Sequence, residues 1–225
     1  MSLINHLLNK FGYNFHLTRT RGDTIHYKGP NPDFYGIGVA HGAEVGEDGI
    51  PAKHTQYRIY ALEELRFDGY IHRQLISGNR KESRDMLEWA VKWGIPREDL
   101  YLEENSATMF IGMHNVKKLV DEWKNNGEIP PNPTIYWIIQ RWAAQRAHII
   151  ADCVFKDYEH VIYDVHDGRD ESIVSLDASK EPKNLKIDSL ACKLYNLTKD
   201  PTISQVIASL VMDPLNIPKH VKERI

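Results

Sequence analysis

Apolar positions along this chain change period repeatedly, and each change predicts an element. Residues 34–40 form a continuous apolar run that ends at His41 and Gly42, which reads as a strand buried on both faces. In 54–67, Tyr57, Ala61 and Leu65 recur one turn apart, the spacing that lays one helix face against a sheet. A second strand is read at 72–76, closing on Ser77 and Gly78. The helix after it places Met86, Leu87, Ala90 and Val91 on one face and stops at Gly94, with Pro96 beyond. A short third strand at 100–102 runs into Glu103 and Glu104. Met109, Met113, Val116, Val120 and Trp123 follow at the helical period and are assigned to the core rather than to a sulfur-rich ligand box. The prolines at 130, 131 and 133 prevent the connection 125–133 from continuing that helix. The β-branched and aromatic run 134–139 reads as a fourth strand, 141–154 as a helix and 160–165 as a fifth strand. Beyond a charged loop at 166–171, helices are read at 189–197 and 203–211.

Strands alternating with helices predict a doubly wound, Rossmann-like α/β sandwich of three layers, with a mostly parallel sheet of about five strands and a helical C-terminal extension. The corresponding divisions are an N-terminal appendage at 1–33, the α/β domain at 34–170, and an extension at 171–225 packed on the same domain. The appendage reads as a short amphipathic helix and a polar stretch, 18–24, in which Arg19 and Arg21 form either an anion contact or a solvated turn.

Composition narrows the classes. The 225 residues carry 42% hydrophobic and 26% charged side chains, an ordinary balance for a soluble globular chain that buries a full core. A net charge of -3 gives no electrostatic footprint for nucleic acid. Cys153 and Cys192 are too few for a disulfide framework and lack metal-site spacing, so they read as reduced thiols of a cytoplasmic protein. The first residues lack the basic flank and apolar core of a signal peptide, and no run approaches the ~18 apolar residues of a membrane span.

Chemistry is expected where strands end. His41 closes the first strand, where an imidazole either exchanges a proton near neutral pH or simply hydrogen-bonds in a turn. Arg58 interrupts a packing face; it either holds a phosphate or carboxylate at the sheet edge or pairs with Glu103 or Glu104. Ser77 and Gly78 offer a hydroxyl and an unobstructed N–H to an anion at a helix start, or else Ser77 is an ordinary N-cap. Ser106 and Thr108 repeat that choice before the next helix. Glu103 and Glu104 suit a proton-transfer role or a helix-start charge bias. Arg141 and Arg146 flank Trp142, too small a patch for nucleic acid, and Arg146 is the better anion ligand. His160, Asp164, His166 and Asp167 have a metal-like look without a second matching motif, so no metal is assigned. No Gly-x-Gly-x-x-Gly turn, phosphate-loop lysine motif or nucleophile elbow is present.

Taken in order, the turn of Ala40, His41 and Gly42, Arg58 on the next helix, Ser77, Gly78 and Asn79, then Gly94, Ile95 and Pro96, Glu103 and Glu104, Ser106, Thr108, and Arg146 with Ala147 resemble the YdcF-like family. The resemblance spans about half of the chain, from Tyr35 to Ala147. It departs at Ala143, where the family has a histidine, at Asn79, where it has a second glycine, and after Thr108, where Met109, Phe110 and Ile111 replace its Thr-x-Glu-Asn continuation. The resemblance implies a small anionic or nucleotide-like ligand, S-adenosylmethionine among the candidates. It also implies hydrolysis or transfer at a phosphate-bearing substrate, with His41 or Glu104 moving a proton. Gly42, Arg58, Ser77, Gly78, Asn79, Ser106, Thr108 and Arg146 would bind the ligand. The rival expectation is a non-catalytic, protein-binding member of the fold that lacks the family's histidine.

Overall fold

The structure is a computed structural model that describes residues 35–42, 46 and 49–212. The expectations for the appendage, and for the last residues of the C-terminal extension, lie outside the described residues. Five strands, β1 (Gly36–His41), β2 (Arg73–Ser77), β3 (Leu100–Glu103), β4 (Thr134–Gln140) and β5 (Glu159–Val165), form one sheet in the order β3-β2-β1-β4-β5, every pair parallel. The helices are α1 (Lys53–Phe67), α2 (Arg80–Lys92), α3 (Met109–Asn125), α4 (Ala144–Val154), α5 (Glu171–Thr198) and α6 (Pro201–Met212). The molecule is thus a Rossmann-like three-layer α/β fold with a helical C-terminal part.

The period of two in the strands sorts side chains to the two faces. Ala40, Ile76, Leu100, Tyr136 and Ile138 pack with α1 and α2. Ile37, Val39, Leu75, Ile135, Trp137 and Ile139 pack with α3 and α4, and the same cluster takes in Ala191 and Cys192 of α5 and Ala208 of α6. After β3 the chain crosses back through α3 to enter β4 on the far side of β1. The strand order therefore reverses between β1 and β4, the place where open α/β sheets leave a crevice at the carboxyl ends of their strands.

Several local expectations change. Ser77 ends β2 and does not cap a helix; Asn79 is the N-cap of α2, and with Glu82 it forms a capping box. Met86 and Ala90 are buried as expected, but Val91 is exposed. Residues Arg141–Ala143 form a 3₁₀ turn, and the α-helix begins only at Ala144. One helix of 28 residues, α5, begins at the end of the charged loop and runs to Thr198, where the sequence predicts a helix only over 189–197. The apolar Ile173 and Leu176 of its first half are exposed rather than set on a buried face, and Pro182 inside it reads in sequence as a breaker. Among the described residues no helix is long and apolar enough to cross a membrane.

Candidate functional site

Three strands end side by side on the α3 face. His41 pairs in register with Ser77, and Ser77 with Glu103, so alternation turns all three side chains the same way. The buried Glu103 carboxylate accepts from four donors. Ser77 Oγ lies 2.8 Å from Oε2, which the Ser106 hydroxyl also reaches; the Asn105 N–H lies 2.7 Å and Asn115 Nδ2 3.0 Å from Oε1. His41 Nδ1 is 3.4 Å from Ser77 Oγ. Because Ser77 gives its proton to Glu103, the consistent tautomer carries the His41 proton on Nδ1. The ring sits against Gly112 of α3, where a Cβ would come within 2.9 Å of His41 Cε1 and 3.1 Å of both His41 Nδ1 and Ser106 Oγ.

This cluster is satisfied and poorly suited to proton transfer. Burial, then the charges of Arg58 and Arg146, lower the His41 pKa to about 3, so the imidazole is neutral at pH 7, with its single proton turned to Ser77 and no imidazolium to serve as a general acid. Both serine hydroxyls donate to a carboxylate that is itself fully engaged. Glu104, expected as an acid or base, lies at the surface on Arg84 at 2.5 Å, because alternation along β3 sends Glu103 inward and its neighbour away. Arg146 lies on α4 with its Nε 2.9 Å from Glu181 and its Nη1 3.4 Å from Asp188, both on α5. Its charge is neutralised by helix packing that the sequence reading did not include.

The two glycine turns do meet. The Gly42 N–H donates to the Ser77 carbonyl, and a Cβ at Gly42 would fall 3.2 Å from Gly78 Cα. However, their donors are engaged within the protein. The Gly78 N–H donates to the Glu103 carbonyl at 3.1 Å, the Asn79 N–H to Glu82 Oε2 at 3.3 Å, and Asn79 Oδ1 takes the amides of Lys81 and Glu82. The open N–H expected at Gly78 is therefore occupied. Thr108 caps α3 through the Ile111 N–H.

On the opposite face, Arg58 enters from α1 at the switch point. It is 3% exposed, and its Nε donates to Gln140 Oε1 at 2.7 Å, Nη2 to the same oxygen, and Nη1 to the carbonyls of His41 and Gly42. It thus ties the end of β1 to the end of β4. Neither Glu103 nor Glu104 is its partner. Among the described residues no carboxylate lies within ion-pair distance, and one Nη2 proton has no described acceptor. Burial lowers the Arg58 pKa to about 9, against the more distant charge of Asp167. Asp167 is held by Arg169 Nη2 at 2.9 Å and Trp142 Nε1 at 2.8 Å. Burial raises its pKa, but these donors outweigh that and leave it lowered overall. Beside it, at the ends of β4 and β5, lies a cavity of ≈ 440 Å³ whose walls include Arg141, Trp142, His166 and Asp167.

Sequence reasoning missed Glu103 as the inward acid and Gln140 as the partner of Arg58. Parallel pairing would have found the first, since Ser77 and Glu103 both terminate neighbouring strands. The metal-like residues are dispersed: His160 bonds Asp152 at 3.0 Å, Asp167 bonds Arg169, and no group of three metal-ligating side chains assembles among the described residues. Comparison of the chain with family models, with curated proteins and with solved structures gives no match.

Proposed function

We propose that the protein binds a small anionic ligand at the carboxyl edge of the sheet, anchored by Arg58 at the switch point between β1 and β4. The observation that carries this reading is a buried guanidinium whose partners among the described residues are all neutral acceptors. A buried charge is stabilised by pairing, and the described residues supply no carboxylate within reach. The cavity at the ends of β4 and β5, which Arg58 does not line and whose wall carries Asp167 and Glu171 as well as Arg141 and Arg169, is in the size range of small-molecule sites, roughly 300–1,000 Å³. Trp142 and His166 on its wall offer flat surfaces, and Arg141 a second cation, which suits a nucleotide-like molecule, S-adenosylmethionine included. The order of motifs that resembles the YdcF-like family supports the same class of ligand. Binding without acid–base chemistry through His41 or Glu104 is the favoured form, since the first is neutral and buried and the second lies at the surface on Arg84.

A thermal-shift screen of nucleotides, S-adenosylmethionine and phosphate esters tests the reading, because a ligand bound only by the native state raises the melting temperature. Arg58→Gln, checked for folding by circular dichroism, should weaken the best ligand by about 1.5–3 kcal/mol. A null result across the screen, or unchanged affinity in the folded variant, overturns it. Exposed Leu197 and Ile203, which flank the α5–α6 turn, favour a second reading, self-association through an apolar surface at that end of the helices. Concentration-dependent association in sedimentation experiments, lost on Leu197→Lys, would support self-association through that surface.

A further inference from the structure

The two cysteines of the chain face each other across the seam between α4 and α5. Cys153 Sγ lies 3.9 Å from the carbonyl oxygen of Cys192, and Cys192 Sγ lies 4.0 Å from that of Ile149, one turn before Cys153. Each sulfur therefore meets the other helix at the level of the other cysteine. Contact with Cys192, aided by Lys156 and Lys199, holds the Cys153 thiol below its usual pKa, while contact with Cys153 and burial push Cys192 up. Cys192 is buried, but Cys153 is only half-buried and lines a cavity of ≈ 360 Å³. Lys117, Lys118, Lys156 and Lys199 share that wall with Asp121 and Asp157, so cations outnumber carboxylates on it by four to two. Lys117 is paired with Asp121; the other three have no carboxylate partner among the described residues.

We propose that Cys153 is a redox-reactive thiol that exchanges with carboxylate-bearing low-molecular-weight disulfides entering this cavity, and that Cys192 resolves the product into a Cys153–Cys192 bond. In the first step the Cys153 thiolate attacks one sulfur of the incoming disulfide. The small S–S bond breaks, a mixed disulfide forms, and the leaving thiolate takes up a proton. Cys192, on losing its proton, then attacks Cys153 Sγ and expels the second small thiol. Two protein thiols are oxidised and one small disulfide is reduced to two thiols. The lysines attract the carboxylates of the oxidant and favour the thiolate; the helix seam keeps the resolving sulfur at hand. Oxidation staples α5 to α4, independently of any ligand at the carboxyl edge.

Oxidised glutathione, with two carboxylates on each half, and the uncharged 2-hydroxyethyl disulfide are suitable probes. Intact-mass and peptide analysis of the full chain in oxidised glutathione should show loss of two hydrogens, a Cys153–Cys192 crosslink and no lasting adduct. Cys192→Ser should accumulate glutathione on Cys153, and Cys153→Ser should remain unmodified. At low salt the wild-type protein should react about tenfold faster with the charged probe, and the difference should shrink in high salt. A wild-type protein that stays dithiol, a lasting adduct despite Cys192, attack through Cys192 in Cys153→Ser, or equal rates with the two probes would each overturn the proposal. The first and last measurements use the unmodified chain, so they stand even where a variant folds poorly.

Discussion

Removing Arg58 leaves Gln140 Oε1 and the His41 carbonyl without the donor that joins them. A buried acceptor stripped of its partner costs about 1–3 kcal/mol, so Arg58→Ala should lower stability by at least that much in urea titrations even without ligand. Arg58→Lys, which keeps the charge but not the fork, should fall between wild type and Arg58→Ala. Equal stability of all three proteins would contradict the clamp. Gly112 makes a second, steric point. Gly112→Ala drives a methyl into the His41 ring and should cost about 1–3 kcal/mol. The same change in a His41→Ala background should cost distinctly less, a coupling that a double-mutant cycle reads directly. Additive costs would mean that the ring is not what Gly112 accommodates.

Helix ends divide labour differently from the order of hydroxyl residues along the chain. Asn79 accepts two amides of α2 and Glu82 returns the bond, whereas Ser77 two residues earlier serves Glu103. Asn79→Ala should therefore lose about 1 kcal/mol and fray the start of α2, as amide exchange at Lys81 and Glu82 would report. Ser77→Ala should leave those amides as protected as before; faster exchange there would return Ser77 to the capping role expected from sequence. On α5, Glu181 immediately precedes Pro182 and, with Asp188, holds Arg146 of α4. That pairing anchors the middle of α5, the stretch around Pro182, to the α/β core.

At the scale of the molecule, three buried histidines among the described residues set a pH response. Burial is the leading cause in each case, and it lowers His41 and His54 to about 3 and His114 to about 4, from an ordinary 6.5. The unfolded chain then binds more protons than the native one below pH 6.5, so stability falls as the pH drops from 6.5 toward 4. The loss reaches up to about 1.4 kcal/mol per pH unit for each histidine. Glu82 and Asp188, raised chiefly by burial, act with the opposite sign. A variant therefore isolates the histidine part. His114→Phe keeps a ring between Phe110 and Tyr195 and should flatten the slope of unfolding free energy between pH 6.5 and 4. An unchanged slope would show that His114 titrates normally in the folded protein.

The alternation of strand and helix, the helical period that buries Met113, Val116 and Val120, and the stop at Gly94 are local patterns, and from them the parallel α/β architecture is already legible. The neighbourhood of His41 and Ser77 follows as well, because successive right-handed units place their turns on one edge. What the linear pattern does not contain is the side of the sheet on which each polar residue ends. Strand parity separates His41, Ser77 and Glu103 from Gln140, the partner of Arg58 on α1, although all lie at the same edge, and parity is counted from a register that only pairing defines. Partners distant along the chain, such as Arg146 with Asp188 or Arg58 with Gln140, follow from packing between layers. An internal proline and a first half without a buried apolar face hide the length of α5, whose helix is stabilised by contacts with other elements rather than by its own periodicity. The sequence by itself thus determined the elements and the edge where chemistry is possible. The tertiary structure decided which charges are neutralised there, since a charge's partners are set by distance in space.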